Sequence, residues 1–163
     1  METKVMNFQI SALSENQFSH LYGATEDQLN KVGARRVFAD SDPGFPCRVS
    51  LRDAEIGEPL ILINHTHHDE RSPYRASHAI FVIEGAKEEI LPQNEVPKLL
   101  RSRVLSVRGF DQNNDMIDAE VCAGTDLEHA ITRLGSNSSV KYLHVHNAGP
   151  GCYAARVELL GGE

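Results

Sequence analysis

Tyr142-Leu-His-Val-His-Asn-Ala-Gly-Pro-Gly-Cys-Tyr-Ala-Ala-Arg-Val-Glu-Leu159 reads as two strands folded back on a turn, and the register of that pair decides the fold class. A five-residue connection, Ala148-Gly-Pro-Gly-Cys152, sets Leu143 opposite Val157 and Val145 opposite Ala155, so that both apolar sets share one buried face. A four-residue connection would oppose Leu143 to Arg156, a poorer pattern for burial. In the favoured register His144, His146, Arg156 and Glu158 occupy the other face. Two imidazoles, an amide, a Gly-Pro-Gly turn and a thiol thus stand close together, where a buried strand ordinarily carries apolar groups.

Outward from this hairpin the same architecture repeats. Val104 to Phe110 and Met116 to Cys122 are strand-like runs joined by Asp111-Gln-Asn-Asn-Asp115, whose side chains tolerate the positive φ of tight loops. Glu58 to Thr66 and His78 to Glu84 form another pair around a polar loop, His68 to Ser77. Arg35 to Ala39 is a shorter strand, after which a Pro/Gly-marked segment delivers Cys47 to the start of the next element. Cap patterns predict short helices at Ser14 to Tyr22 and at Thr25 to Val32, the second stopped by Gly33. Pro97 suits a first helical position in Val96 to Ser102, and Thr125 to Leu134 carries acids early and Arg133 late, as the helix dipole favours. Hairpins without a βαβ rhythm predict an α+β fold: a single domain over residues 1–163, with a mainly antiparallel sheet and a few short helices packed on it. A helical layer is expected at about 14–33 and a sheet-rich body at about 35–160.

A chain of 163 residues, 40% hydrophobic and 24% charged, is long enough to bury a continuous core. Its formal charge of −7 sets its own field against a nucleic-acid backbone or an anionic membrane, so neither is expected as a partner. No apolar run approaches the roughly 18 residues of a membrane-spanning helix. Met1 to Phe8 lacks the apolar stretch of a secretory signal, which makes a cytoplasmic location the expectation. Cys47, Cys122 and Cys152 are too few for a disulfide scaffold and are read as reduced.

Chemistry concentrates in three places. His65, His67, His68 and His78 fall in one segment and His144 and His146 in another; alternate strand positions project the same way, close enough for two rings to reach one ion. His144 and His146 are therefore candidates for a general base, and alternatively for the ligands of a divalent transition metal whose third donor would have to come from elsewhere. A Pro/Gly turn releases both Cys47 and Cys152 with an arginine following, Arg48 and Arg156, so either thiol is a candidate nucleophile. Arg48, Arg75 and Arg156 stand beside turns, and converging guanidinium groups are how proteins hold carboxylates and phosphates. With Tyr74 and Asn147 they form the candidate ligand-binding set. The bland readings are a buried thiol that acts as a small hydrophobe, and arginines that pin loops through acids such as Asp53, Asp118 or Glu120.

Pro43-Gly-Phe-Pro-Cys-Arg48, Ser72-Pro-Tyr-Arg-Ala-Ser77 with the following Ile80-Phe-Val82, and His144-Val-His-Asn-Ala-Gly-Pro-Gly-Cys152 together resemble a bacterial family known as domain of unknown function 1203. The resemblance runs from about Gly33 to Val157, departs at His78-Ala79, where Gly-Pro is expected, and implies no activity. It implies that the three segments act as one spatial unit. The favoured expectation is a composite pocket of Cys, His and Arg that binds a small anionic molecule, with or without catalysis. A metal-binding module, or a structural or partner-binding domain whose turns are pinned by polar networks, is the alternative.

Overall fold

In the computed structural model, which describes residues 5–162, the strands are β1 (Met6–Ser11), β2 (Arg35–Phe38), β3 (Pro59–His68), β4 (Ala76–Ile83), β5 (Val104–Phe110), β6 (Met116–Ala123), β7 (Tyr142–Asn147) and β8 (Tyr153–Gly162). They form two antiparallel sheets, one ordered β1-β8-β7-β5-β6 and the other β2-β3-β4. The helices are short: α1 (Glu26–Lys31), α2 (Lys98–Arg101) and α3 (Leu127–Gly135). The fold is α+β, and no helix among the described residues is long and apolar enough to cross a membrane.

The register expected for the last hairpin is the one present: Leu143 pairs with Val157 and Val145 with Ala155. A bulge follows between Val145 and His146, so His146 faces Tyr153 and the chain turns through Asn147 to Cys152. Asn147 N–H donates to Cys152 O, and Gly151 N–H to Asn147 O. Gly151 has φ +82°, which a residue without Cβ adopts at least cost. Leu143, Val145, Ala155 and Val157 all lie in a core completed by α3, whose Leu127, Ala130, Ile131 and Leu134 recur on one helical face. β5 folds back onto β6 because Asp111 Oδ1 accepts the N–H groups of Asn113 and Asp115, at 2.8 and 3.0 Å.

Several local expectations change. Met6 to Ser11 alternates apolar and polar residues and supplies β1, an edge strand paired with β8, where a helical layer alone was expected at the N-terminus. Ser14 does cap a turn, accepting from Asn16 N–H, but only two 3-10 turns follow at Glu15–Gln17 and Ser19–Leu21. α1 does carry the expected capping box, Thr25 with Gln28. Pro97 is the extended residue before α2 rather than its first helical position, and a 3-10 turn at Gly124–Asp126 precedes α3.

Cys47 does not begin a strand. It opens a tight turn, closed by Leu51 N–H donating to Cys47 O, in which Leu51 takes φ +51°. The turn is a wedge: Cys47 and Val49 belong to the core of the three-stranded sheet and Leu51 to that of the five-stranded sheet. Arg48 lies between them, 2% exposed.

Candidate functional site

The polar face of β7 is not a surface. All six of its residues are buried, because β3 crosses over it and the two sheets meet in a layer of rings. His67 stacks on Tyr153 at 5.3 Å between centroids and lies 4.9 Å from His146; His68 lies 4.4 Å from Phe110 and 5.5 Å from His144. At the end of β3, where a bulge after Thr66 shifts the pairing with β4, His68 is buried and His65 and His67 are half-buried.

Backbone carbonyls fix two of the rings. A carbonyl can only accept, so His146 donates from Nδ1 to Gly151 O at 3.0 Å and His68 from Nε2 to Asn114 O at 2.8 Å. His67 Nδ1 and His144 Nδ1 are buried without a partner among the described residues. Burial holds His144, His146 and His67 neutral. It is the main cause that depresses His144 from its ordinary 6.5 to about 2, with His146, His68, Arg156 and His67 adding repulsion. It likewise takes His146 to about 3, where the Gly151 carbonyl acts in the opposite sense, and His67 to about 4.

Centroids of His67, His144 and His146 stand 4.9, 6.1 and 6.3 Å apart. An ion at about 2.1 Å from one nitrogen of each would lie about 3.2 Å from every centroid. Those separations would then demand ligand angles that together exceed a full circle, so the rings as placed cannot share one ion. No group of three or more His, Cys, Asp or Glu among the described residues is arranged to hold a metal.

A second assembly forms at the other end of β7. Arg48 donates from Nε to Tyr153 O at 2.7 Å, from Nη1 to Pro46 O, and from Nη2 to Cys152 Sγ at 2.9 Å. No carboxylate among the described residues pairs with it; Asp53, the nearest candidate in sequence, is held bidentately by Arg103 at 2.6 and 3.0 Å. Burial lowers the Arg48 pKa, and the leading opposing influence is Cys152. Asn147 Nδ2 also points at Cys152 Sγ, at 3.4 Å, while Asn147 Oδ1 is buried with no donor among the described residues. Arg48, Asn147 and Cys152 line one cavity of about 520 Å³, walled by Pro46, Leu62, Phe81, Val104 and Pro150, with His78 and the Asp53-paired Arg103 also at its edge.

The residues singled out from sequence therefore separate. Arg48, Asn147 and Cys152 come together. Cys47 is fully buried beside them, its Sγ accepting from Ser50 and Ile83 N–H, and does not line the cavity. His144 and His146 belong to the ring layer. Tyr74 and Arg75 do not join the pocket: their loop is tied to the β5–β6 turn by Ser72 Oγ donating to Asp115, and Arg75 pairs with Asp69 in solvent. Val104, beside the cavity, and Phe110, beside that turn, are six strand steps apart, about 20 Å. Arg156 covers the Tyr142 ring at 4.0 Å and pairs with Glu158, again away from the cavity. Sequence reading missed the walls, although Pro46 and Phe81 stand in two of the segments that carried the family resemblance.

Comparison with curated proteins and with solved structures found no match. A family model does match, over residues 44–158, a span that holds every residue lining the cavity and leaves out β1, α1 and β2. With most of its length matched, the chain belongs to the family described as Protein of unknown function (DUF1203).

Proposed function

We propose that this protein binds a small molecule with an anionic head and an apolar body in the cavity beside Arg48. The observation that carries the reading is a guanidinium, 2% exposed and without a carboxylate partner among the described residues, on the wall of an otherwise largely apolar cavity. A buried cation without an acid is costly unless an anion reaches it. Arg48 spends one N–H each from Nε, Nη1 and Nη2 on protein acceptors, and a guanidinium carries five, so donors remain for a carboxylate or phosphate oxygen. Asn147 Oδ1 offers an acceptor for a hydroxyl or amine on the same ligand. Leu62, Phe81 and Val104 suit a short hydrocarbon body. A reducing, cytoplasmic setting fits the three unpaired thiols.

Hexanoate and its neutral isostere hexanamide test the reading directly. Hexanoate should raise the melting temperature with the logarithm of its concentration above Kd, by the equivalent of about 2.7 kcal/mol at a hundredfold excess over Kd, and hexanamide should do far less. Asn147→Asp, which sets a second negative charge beside the head group, should weaken hexanoate binding by about tenfold or more. Equal responses to the two compounds, or none to either, would overturn the proposal.

A further inference from the structure

The proposed pocket contains a thiol that anion binding leaves without a task. Cys152 is 8% exposed, lines the cavity, and receives N–H donors from Arg48 and Asn147. We propose that Cys152 is a site of reversible oxidation by organic hydroperoxides that enter this cavity. The inference rests on the pocket reading; its substrate shares the apolar body of that ligand and sets a neutral peroxide, in place of a charged head, beside Arg48.

The choice of reaction follows from which groups surround the sulfur. Acyl transfer by a cysteine calls for a base that takes the thiol proton and returns it to the leaving group, usually an imidazole bonded to sulfur. None is bonded here: His146 gives its Nδ1–H to Gly151 O. Attack on a hydroperoxide asks less of its surroundings. The sulfur, reacting as thiolate, forms an S–O bond to the terminal oxygen of R–O–OH as the O–O bond breaks. The alkoxide that departs takes up one proton, replacing the one lost from sulfur, so that Cys–SH and ROOH become Cys–SOH and ROH. Sulfur is oxidised by two electrons and the peroxide is reduced by two. Negative charge first sits on sulfur and then grows on the departing oxygen. The Arg48 guanidinium already donates to the sulfur and has unspent N–H groups for that oxygen. Phe81, Leu62 and Val104 favour an alkyl or aryl hydroperoxide over hydrogen peroxide.

No second cysteine is placed to capture the product. Cys47 is fully buried, its Sγ engaged by Ser50 and Ile83 N–H, and Cys122 sits on β6, separated from β7 by β5 in the same sheet, and packs against the core under α3. The oxidised form is therefore a sulfenic acid, returned to thiol by a small external thiol, and not an internal disulfide.

The test treats the intact protein with limiting cumene hydroperoxide, traps with a 1,3-dione and reads each cysteine by peptide mass spectrometry. Expected are a dione adduct on Cys152 that forms at least about tenfold faster than any on half-buried Cys122, and its loss when a small thiol is added before the trap. Arg48→Lys and, should that variant misfold, Asn147→Leu should slow the oxidation severalfold, each removing a donor from the sulfur. Hexanoate should protect Cys152. No preference for Cys152 over Cys122, or an internal disulfide in place of the adduct, overturns the proposal. If Cys152 fails to oxidise while hexanoate still stabilises the fold, the oxidation is wrong and the anion pocket stands. If Cys152 oxidises without protection by hexanoate, the pocket reading fails and the thiol chemistry stands.

Discussion

Taking the protein from pH 7 to pH 5 should remove about 4 kcal/mol of its folding stability, most of it through His144 and His146. Both are neutral in the fold and would be protonated near 6.5 in the unfolded chain. Between pH 6.5 and about 3 the unfolded state binds more protons, so stability is full above this window and declines as pH falls through it. At pH 5 each ring is 1.5 units below the unfolded value, or about 2 kcal/mol. The half-buried His67 adds in the same direction, discounted for its exposure to water. The Gly151 carbonyl favours the charge on His146, whereas Arg108 on β5, Arg156 on β8, His65, His67 and His68 on β3 and His78 on β4 oppose it on these rings. Since a domain holds only about 5–15 kcal/mol in total, acid unfolding is expected at mildly rather than strongly acidic pH.

Urea unfolding at pH 7, 6 and 5 checks this, followed by far-UV circular dichroism. His144→Phe should remove close to half of the pH dependence. The phenyl ring keeps its contacts with Phe110 and Tyr153, and no hydrogen bond is lost, because His144 Nδ1 has no protein partner. A stability that does not change between pH 7 and 5 would show that the rings are not held neutral.

Arg48→Met should destabilise the fold by about 2–6 kcal/mol at neutral pH, because two buried carbonyls lose their donor at about 1–3 kcal/mol each. For a chain of this length that is a fall in melting temperature of about 10 °C. These carbonyls, Pro46 O and Tyr153 O, belong to segments more than a hundred residues apart, and the guanidinium is what joins the wedge turn to β8. Cys152→Ala removes only an acceptor at the end of the same fork, and should cost distinctly less. Thermal melts of the two variants decide the point: equal losses would mean that the carbonyl bonds contribute little, and that Arg48 is held chiefly by the sulfur.

Features that depend on near neighbours could be read in advance. Alternation and a five-residue turn were enough to set Leu143 against Val157, and Asp111 was enough to mark the β5–β6 turn. The alternation of Met6, Phe8 and Ile10 was equally visible, but a six-residue edge strand has no turn of its own to announce it. What could not be read is pairing at a distance. The similar settings of Cys47-Arg48 and Cys152 hinted at a shared site, yet it is Arg48 and Cys152 that meet, across 104 residues, while Cys47 is turned into the core. Tyr74 and Arg75 are a case of sequence motif without spatial company, because the long β3–β4 hairpin carries its loop to the far end of the molecule. The two histidines on β7 showed their common face but not that another sheet would cover it.

Among the described residues the two sheets share no strand ladder; they are joined by the 47–51 wedge, bridged to β4 by Cys47 and Phe81, by a layer of imidazoles and aromatic rings, and by the hydrogen bonds of His68 and Ser72 to the β5–β6 turn. Such a joint divides the molecule into two cooperative units of unequal durability. Amide exchange should be slowest in β7, which is bonded on both sides, and the β2-β3-β4 sheet should exchange through a separate opening that acid promotes before the whole chain unfolds.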